Sequence, residues 1–245
     1  MISDRSPFTT LDQLEQIKSL VKDTGTKYLV YYSERVHNEA AWHSGELIAQ
    51  GHIGEVVQVL NLALHRLSAQ DRPAWFFEKI HYGAFITDIG SHQVEQFLTY
   101  AGCSDATLNF ASARNCGHPE YPELEDSGEF SLTGDSGASF YSRVDGFTPD
   151  AMPVLGDGRT FIVGTSGSRE VRKYIDPMRK APASVIHLVT EQERREIDSL
   201  GKVGFPFFGQ MILDVLNRTE NSIGQNHIFK AAEVSLRAQA MADAR

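Results

Sequence analysis

In the stretch YGAFITDIGSHQVEQF, Tyr82 to Phe97, Asp88 and His92 stand four residues apart in what otherwise reads as a buried helix. Residues four apart share one helix face, so this spacing sets a carboxylate beside an imidazole. An imidazole titrates near neutral pH and can take a proton from an alcohol as a hydride leaves its carbon. A neighbouring carboxylate fixes its tautomer and steadies its charged form. The same residues also fit a structural role, Asp88 favoured by the dipole of an N-terminal turn and His92 a satisfied core group. Spacing alone leaves both open.

Other residues have types suited to chemistry. His65 and Arg66 end the run EVVQVLNLALHRL, and Trp75 lies in RPAWFF, where its ring either stacks on the apolar face of a sugar or plugs the core. His118 and Tyr121 fall in a proline-bounded loop, GHPEYPELED, a setting in which ligand contacts are common. His43, His52, His187 and His227 lie apart with no metal-ligand spacing, so no metal site is expected. Cys103 and Cys116 have no CxxC spacing and are expected as plain thiols. The net charge is -9 with scattered lysines and arginines, which disfavours a nucleic-acid partner.

The elements that must hold these residues follow from periodicity. In TTLDQLEQIKSLVKDTG, Leu11, Leu14, Ile17, Leu20 and Val21 recur at helical spacing, Thr10 suits an N-cap and Gly25 a terminator. KYLVYYSE reads as a covered strand, NEAAWHSGELIAQGHIG as a helix, and EVVQVLNLALHRL as a long strand. After the Asp88 helix come strands: ATLNFASAR, GEFSLTG, ASFYSRVDGF, RTFIVGT, REVRKYI and SVIHLVT, with glycine turns between them. EQERREIDSLGK reads as a solvated edge or turn, and two helices, FFGQMILDVLNR and HIFKAAEVSLRAQAMADAR, close the chain. The order implies an α/β (α+β) fold with a large open, mainly antiparallel or mixed sheet, helices on one face. No apolar run approaches the ~18 residues of a membrane span, and MISDRSPFTT lacks the order of a signal peptide, so a cytoplasmic location is expected.

Five segments, in order, resemble the Gfo/Idh/MocA family of NAD(P)-dependent oxidoreductases: YGAFITDIGSHQVEQF, LHRL (Leu64 to Leu67), RPAWFF, GHPEYPELED and GKVGFPFFGQ. The resemblance implies a sugar or polyol dehydrogenase-like protein. It places Asp88 and His92 where family members contact the reacting hydroxyl and move its proton, and implies that His65 and Arg66 face the substrate cleft; with Trp75, Tyr82, His118 and Tyr121 these are the expected substrate contacts. Self-association through the sheet is expected with it. Gly83 and Gly90 are expected to leave room for a sugar ring or a nicotinamide.

The departures from the family pattern are as specific as the match. No GxGxxG occurs, so residues 1–34 read as a remnant of the nucleotide-binding domain and 35–245 as the substrate-binding and oligomerisation domain. No NAD(P) is expected to bind this chain alone; a partner chain or missing N-terminal domain would supply that site. In SDRSP, Asp4 matches the family's acid, while Arg5 stands at its lysine and Ser6 at its proline. A guanidinium can clamp a substrate but hardly exchanges a proton, so Arg5 is either a substrate contact or a solvated terminal residue. The apolar KYLVYY strand, deprived of Rossmann neighbours, needs a cover from a second copy, a partner chain or the N-terminal segment. A cofactor-free lyase or isomerase, and a non-catalytic binding or oligomerisation module, are the alternative functions.

Overall fold

The structure is a computed structural model that describes residues 1–4, 7–176, 178 and 182–244. Its frame is an eight-stranded mixed sheet built from β3 (Val56–Leu64), β4 (Ala106–Arg114), β5 (Ser127–Gly134), β6 (Ser139–Asp145), β7 (Gly158–Gly164), β8 (Gly167–Arg172), β9 (Val185–Thr190) and β10 (Arg194–Asp198). The spatial order is β10-β9-β8-β7-β3-β6-β5-β4, and β3 pairs parallel with β6 while every other neighbour is antiparallel. Alternation sets the faces: Val59, Asn61 and Ala63 of β3 point to the buried side, and Leu60, Leu62 and Leu64 to the other.

One face carries α3 (Glu39–Ala49), α5 (Ala84–Tyr100) and α7 (Gln225–Asp243), with α1 (Leu11–Thr24) outside α7. Every residue of α5 except Thr99 is buried, as a helix sandwiched between a sheet and other helices requires. Phe97 of α5 stacks on Phe140 of β6, ring centroids 4.7 Å apart. Both ends of α1 follow their residues: Thr10 accepts from Gln13 N–H at 3.2 Å, and Gly25, left-handed at φ 63°, donates to Val21 O.

Two local outcomes differ from the periodicity, and the solvated edge read in EQERREIDSLGK is found. KYLVYYSE gives only the short strand β2 (Leu29–Val30), after which α2 (Ser33–Val36) turns the chain. β2 pairs parallel with β1 (Ile2–Ser3), so the N-terminal segment itself covers that strand. REVRKYI leaves the ladder at Arg172, and Lys173 and Tyr174 turn inward. EQERREIDSLGK contains β10, a charged edge strand, the kind of residue content that discourages edge-to-edge pairing. Two short helices remain: α4 (Lys79–Tyr82) ahead of α5, and α6 (Pro206–Asn217), whose Phe207 packs against Tyr31 beside the β1–β2 pair. Among the described residues no helix is long and apolar enough to cross a membrane.

Candidate active site

α5 sets the first two groups. Its entry is unusual, with Gly83 at φ 83° and Ala84 at φ 72°, both left-handed, so the chain turns sharply from α4 into the buried helix. One turn further in lies Asp88, 6% exposed, and a turn beyond it His92, 1% exposed. Tyr32, at the start of α2, meets the His92 ring edge-on with centroids 5.7 Å apart. The glycines do not open a ligand space as the sequence suggested. A Cβ on Gly90 would lie 3.0 Å from the Phe130 ring, and one on Gly83 would lie 3.1 Å from Thr9, so both serve close packing.

Beside His92 sits a group that sequence reasoning missed. Glu34 of α2 is buried, and its two oxygens are divided between partners: Oε2 accepts from Lys173 Nζ at 2.8 Å, Oε1 accepts from the Tyr174 hydroxyl at 2.8 Å. His65 Nε2 lies 3.7 Å from the same Oε1. Burial by itself would push the Glu34 pKa up; Lys173 above all, then His65 and His92, outweigh it and hold the carboxyl far below the usual range. Lys173 is fixed through its backbone as well, donating to Gly158 O at 3.1 Å and accepting from Asn38 Nδ2 at 2.8 Å.

The glycine pair GDG explains its own presence here. A Cβ on Gly156 would sit 1.9 Å from Leu64 O, and one on Gly158 would sit 3.3 Å from the Lys173 stem. These glycines therefore let one loop press on the backbone before His65 and on the side chain of Lys173.

A second cluster holds the remaining residues. Asp126, fully buried, accepts from the Cys116 and Gly117 amides at 2.7 and 2.8 Å and pairs with His118 Nδ1 at 2.8 Å. That contact fixes the His118 ring and leaves Nε2 as its other polar edge. Phe147 stacks on the His118 ring, and Phe147 in turn bridges Arg66 through the backbone. The Arg66 guanidinium clasps the following loop, donating to the carbonyls of Pro149 and Met152. Tyr121 stacks on Phe77 with centroids 3.7 Å apart, and Tyr82, 3% exposed, packs on Phe76. Trp75 is 52% exposed, so it does not plug the core. Arg5 lies outside the described residues.

The structure thus brings His65, Asp88 and His92 around α2 and α5, and links Arg66 to His118 at the adjoining rim. Glu34, Lys173, Tyr174, Tyr32 and Asp126 join them unannounced, although the charged pair Glu34 and Arg35, one serine beyond the apolar YLVYY, was a signal for Glu34. Depressions of about 670 and 530 Å3 lie elsewhere, one lined by His43, Arg195 and Lys202, the other by Arg35, Trp42 and His227. Neither includes His92.

Residues 43–170 match the model of the GFO/IDH/MocA C-terminal domain. The chain belongs to the Gfo/Idh/MocA family of oxidoreductases. It is 42% identical to a structure described as an oxidoreductase from Erwinia carotovora atroseptica, over 98% of this chain and 72% of that one, with a TM-score of 0.94. The fold is shared with an aldose-aldose oxidoreductase from Caulobacter crescentus complexed with glycerol, at 16% identity over 100% of this chain and 70% of that one and a TM-score of 0.79. It is shared too with a levoglucosan dehydrogenase in complex with NADH, at 15% identity over 99% and 71% and a TM-score of 0.78. No curated protein matches the chain.

Proposed function

We propose that this chain forms the substrate side of an oxidoreductase acting on a sugar, polyol or related hydroxylated compound. The observation that carries the reading is that Asp88 and His92 lie buried one turn apart on α5, with the α2 segment that carries Glu34 packed on the His92 ring through Tyr32. His92 exchanges the proton of the reacting hydroxyl, and Asp88 steadies the imidazolium so formed. His65, Arg66, Tyr82, His118, Tyr121, Trp75 and Arg5 are the substrate contacts of this reading, with His118 offering an acceptor whose orientation Asp126 fixes. The relatives support the substrate class, since one is an aldose-aldose oxidoreductase holding glycerol and another a levoglucosan dehydrogenase.

These residues do not fit a dinucleotide grip. A pyrophosphate seat needs a glycine-rich turn between a strand and a helix. In the parallel pair, the link from β1 to α1 is DRSPFTT, without a glycine. In our reading the nicotinamide is held by polypeptide beyond this chain, docked where α6 exposes Ile212, Leu213 and Leu216 beside β1 and β2. Titration of the chain with NADH, followed by fluorescence, is expected to give no saturable signal. A chimera joining it to the part of the Erwinia oxidoreductase outside the match should bind NADH and turn over a member of an aldose and polyol panel. Saturable NADH binding by the chain alone, or a chimera that binds NADH yet turns over nothing, counts against the proposal.

Self-association uses the helix-free face of the sheet. Val163 and Val189 are 43% and 45% exposed there, and the ring pair of Phe110 and Tyr141 lies farther along the same sheet. Light scattering should show a dimer or larger species, and Val163→Lys should shift it toward monomer. A wild-type monomer at tens of micromolar would remove this part.

A further inference from the structure

Lys173 and Glu34 are buried charged groups close to the His65 and His92 segments, 1% and 7% exposed, and neither is explained by stability alone. A buried ion pair typically adds little net stability over well-packed apolar residues. This one is nevertheless over-determined. Asn38 and the Gly158 carbonyl pin the Lys173 backbone, Gly158 makes room for its stem, and Tyr174 occupies the second carboxylate oxygen. The arrangement has a direction. The ammonium sits on Oε2, while Oε1 lies toward His65, whose Nε2 is 3.7 Å away.

We propose that Glu34 and Lys173 are positioning residues for the His92 site, a fixed buried pair whose carboxylate end lies toward His65 and His92 and steadies the protonated form of both imidazoles. The inference rests on the proposed proton-handling role of His92. It assigns to the ends of α2 and β8 a task done through other side chains, without contact with the substrate. The ammonium holds the carboxylate ionised, and the ionised carboxylate is then available to the imidazoles at any pH at which the fold persists. Hydride chemistry on an alcohol leaves one proton behind; a nearby fixed negative charge lowers the energy of the imidazolium that receives it.

The other charged and titratable neighbours are accounted for. From α2, Arg35 is held by Glu95 of α5. Asp88 lies on α5 with His92, and Tyr32 and Tyr100 are buried phenols whose pKa values are raised, chiefly by burial. Asp157, beside Gly158, is paired with Arg159. Lys173 and Glu34 therefore form the pair whose removal changes the field at His65 and His92 with the least disturbance elsewhere.

The test is NMR titration of the whole chain. In Glu34→Gln, which keeps the shape and removes the charge, the midpoints of His65 and His92 should both fall by about one pH unit. In Lys173→Met, the Glu34 carboxyl carbon should titrate at least one unit higher than in the wild type, where it should stay ionised below about pH 3. Histidine midpoints that move by less than about 0.2 unit in Glu34→Gln overturn the proposal. Should that variant fail to fold, a wild-type Glu34 carboxyl titrating near its ordinary value of 4.5 overturns it instead. These shifts are read without turnover, so an inactive chimera with the shifts present would sink the oxidoreductase reading and leave the pair standing.

Discussion

Glu95→Ala is expected to cost about 3–5 kcal/mol of stability, because it strands a buried guanidinium. Arg35 Nε lies 2.8 and 3.0 Å from the two Glu95 oxygens, and the side chains are 10% and 0% exposed. Thr99 Oγ1 also donates to Glu95 at 3.1 Å, and His227 Nε2 lies 3.4 Å away, so the carboxylate is fully engaged. Alanine would leave Arg35, whose side chain is 10% exposed, without its counter-charge. Because Arg35 and Glu34 are neighbours on α2, the loss would also loosen the element that faces His92. Denaturant unfolding measures the change, and Glu95→Gln, which keeps hydrogen-bonding capacity, should cost less than alanine. A loss below about 1 kcal/mol for alanine would show that the pair is solvated.

The same contact sets an acid limit. Burial alone would raise the Glu95 pKa, but Arg35 and His227 outweigh it and bring it down to about 2 from 4.5. A depressed carboxyl contributes stability that is complete above its unfolded value and is lost as pH falls through its folded one. The contribution of Glu95 is therefore whole above about pH 4.5 and fades toward pH 2.

The parts of this fold governed by local rules were legible. Alternation marked the six strands from ATLNFASAR to SVIHLVT, and Thr10 and Gly25 bounded α1 through a cap and a left-handed terminator. What failed depended on distant partners. Whether KYLVYYSE runs on as a strand depends on what lies beside it, and among the described residues only Ile2 and Ser3 pair with it. REVRKYI has the β-branched and aromatic content of a strand to its end, yet Lys173 and Tyr174 bend inward because Glu34 lies 139 and 140 residues away in sequence and within hydrogen-bond reach in space. The candidate site divides in the same way. Asp88 and His92 share a helix, so their relation was a matter of spacing. Their charged surroundings come from α2, β3 and β8, and no local pattern couples those segments. The glycines Gly83 and Gly90 were misread for a related reason, since an empty Cβ position looks the same in sequence whether a ligand or Phe130 fills it.

In the chimera that supplies a nicotinamide site, His92→Asn should lower kcat for alcohol oxidation by about 10²–10⁴, the span usual for loss of a positioned acid–base group, while KM changes by less than about threefold. Asparagine keeps a polar, similarly placed side chain next to Tyr32 but cannot accept a proton, so packing and chemistry separate. The pH profile tells more than the rate. An imidazole that removes a proton must begin neutral, so oxidation should rise with pH through the His92 midpoint, and carbonyl reduction, which needs the protonated ring, should fall through it. Both limbs should disappear in His92→Asn. On the proposed role a substrate must reach an imidazole that is 1% exposed, so the rate of the chimera carrying His92 should depend on solution viscosity if uncovering the ring is slow. A His92→Asn chimera within threefold of wild type would return the imidazole to the core role that its burial equally permits, and would move the search for the acid–base group to His118, whose ring Asp126 already orients at the rim.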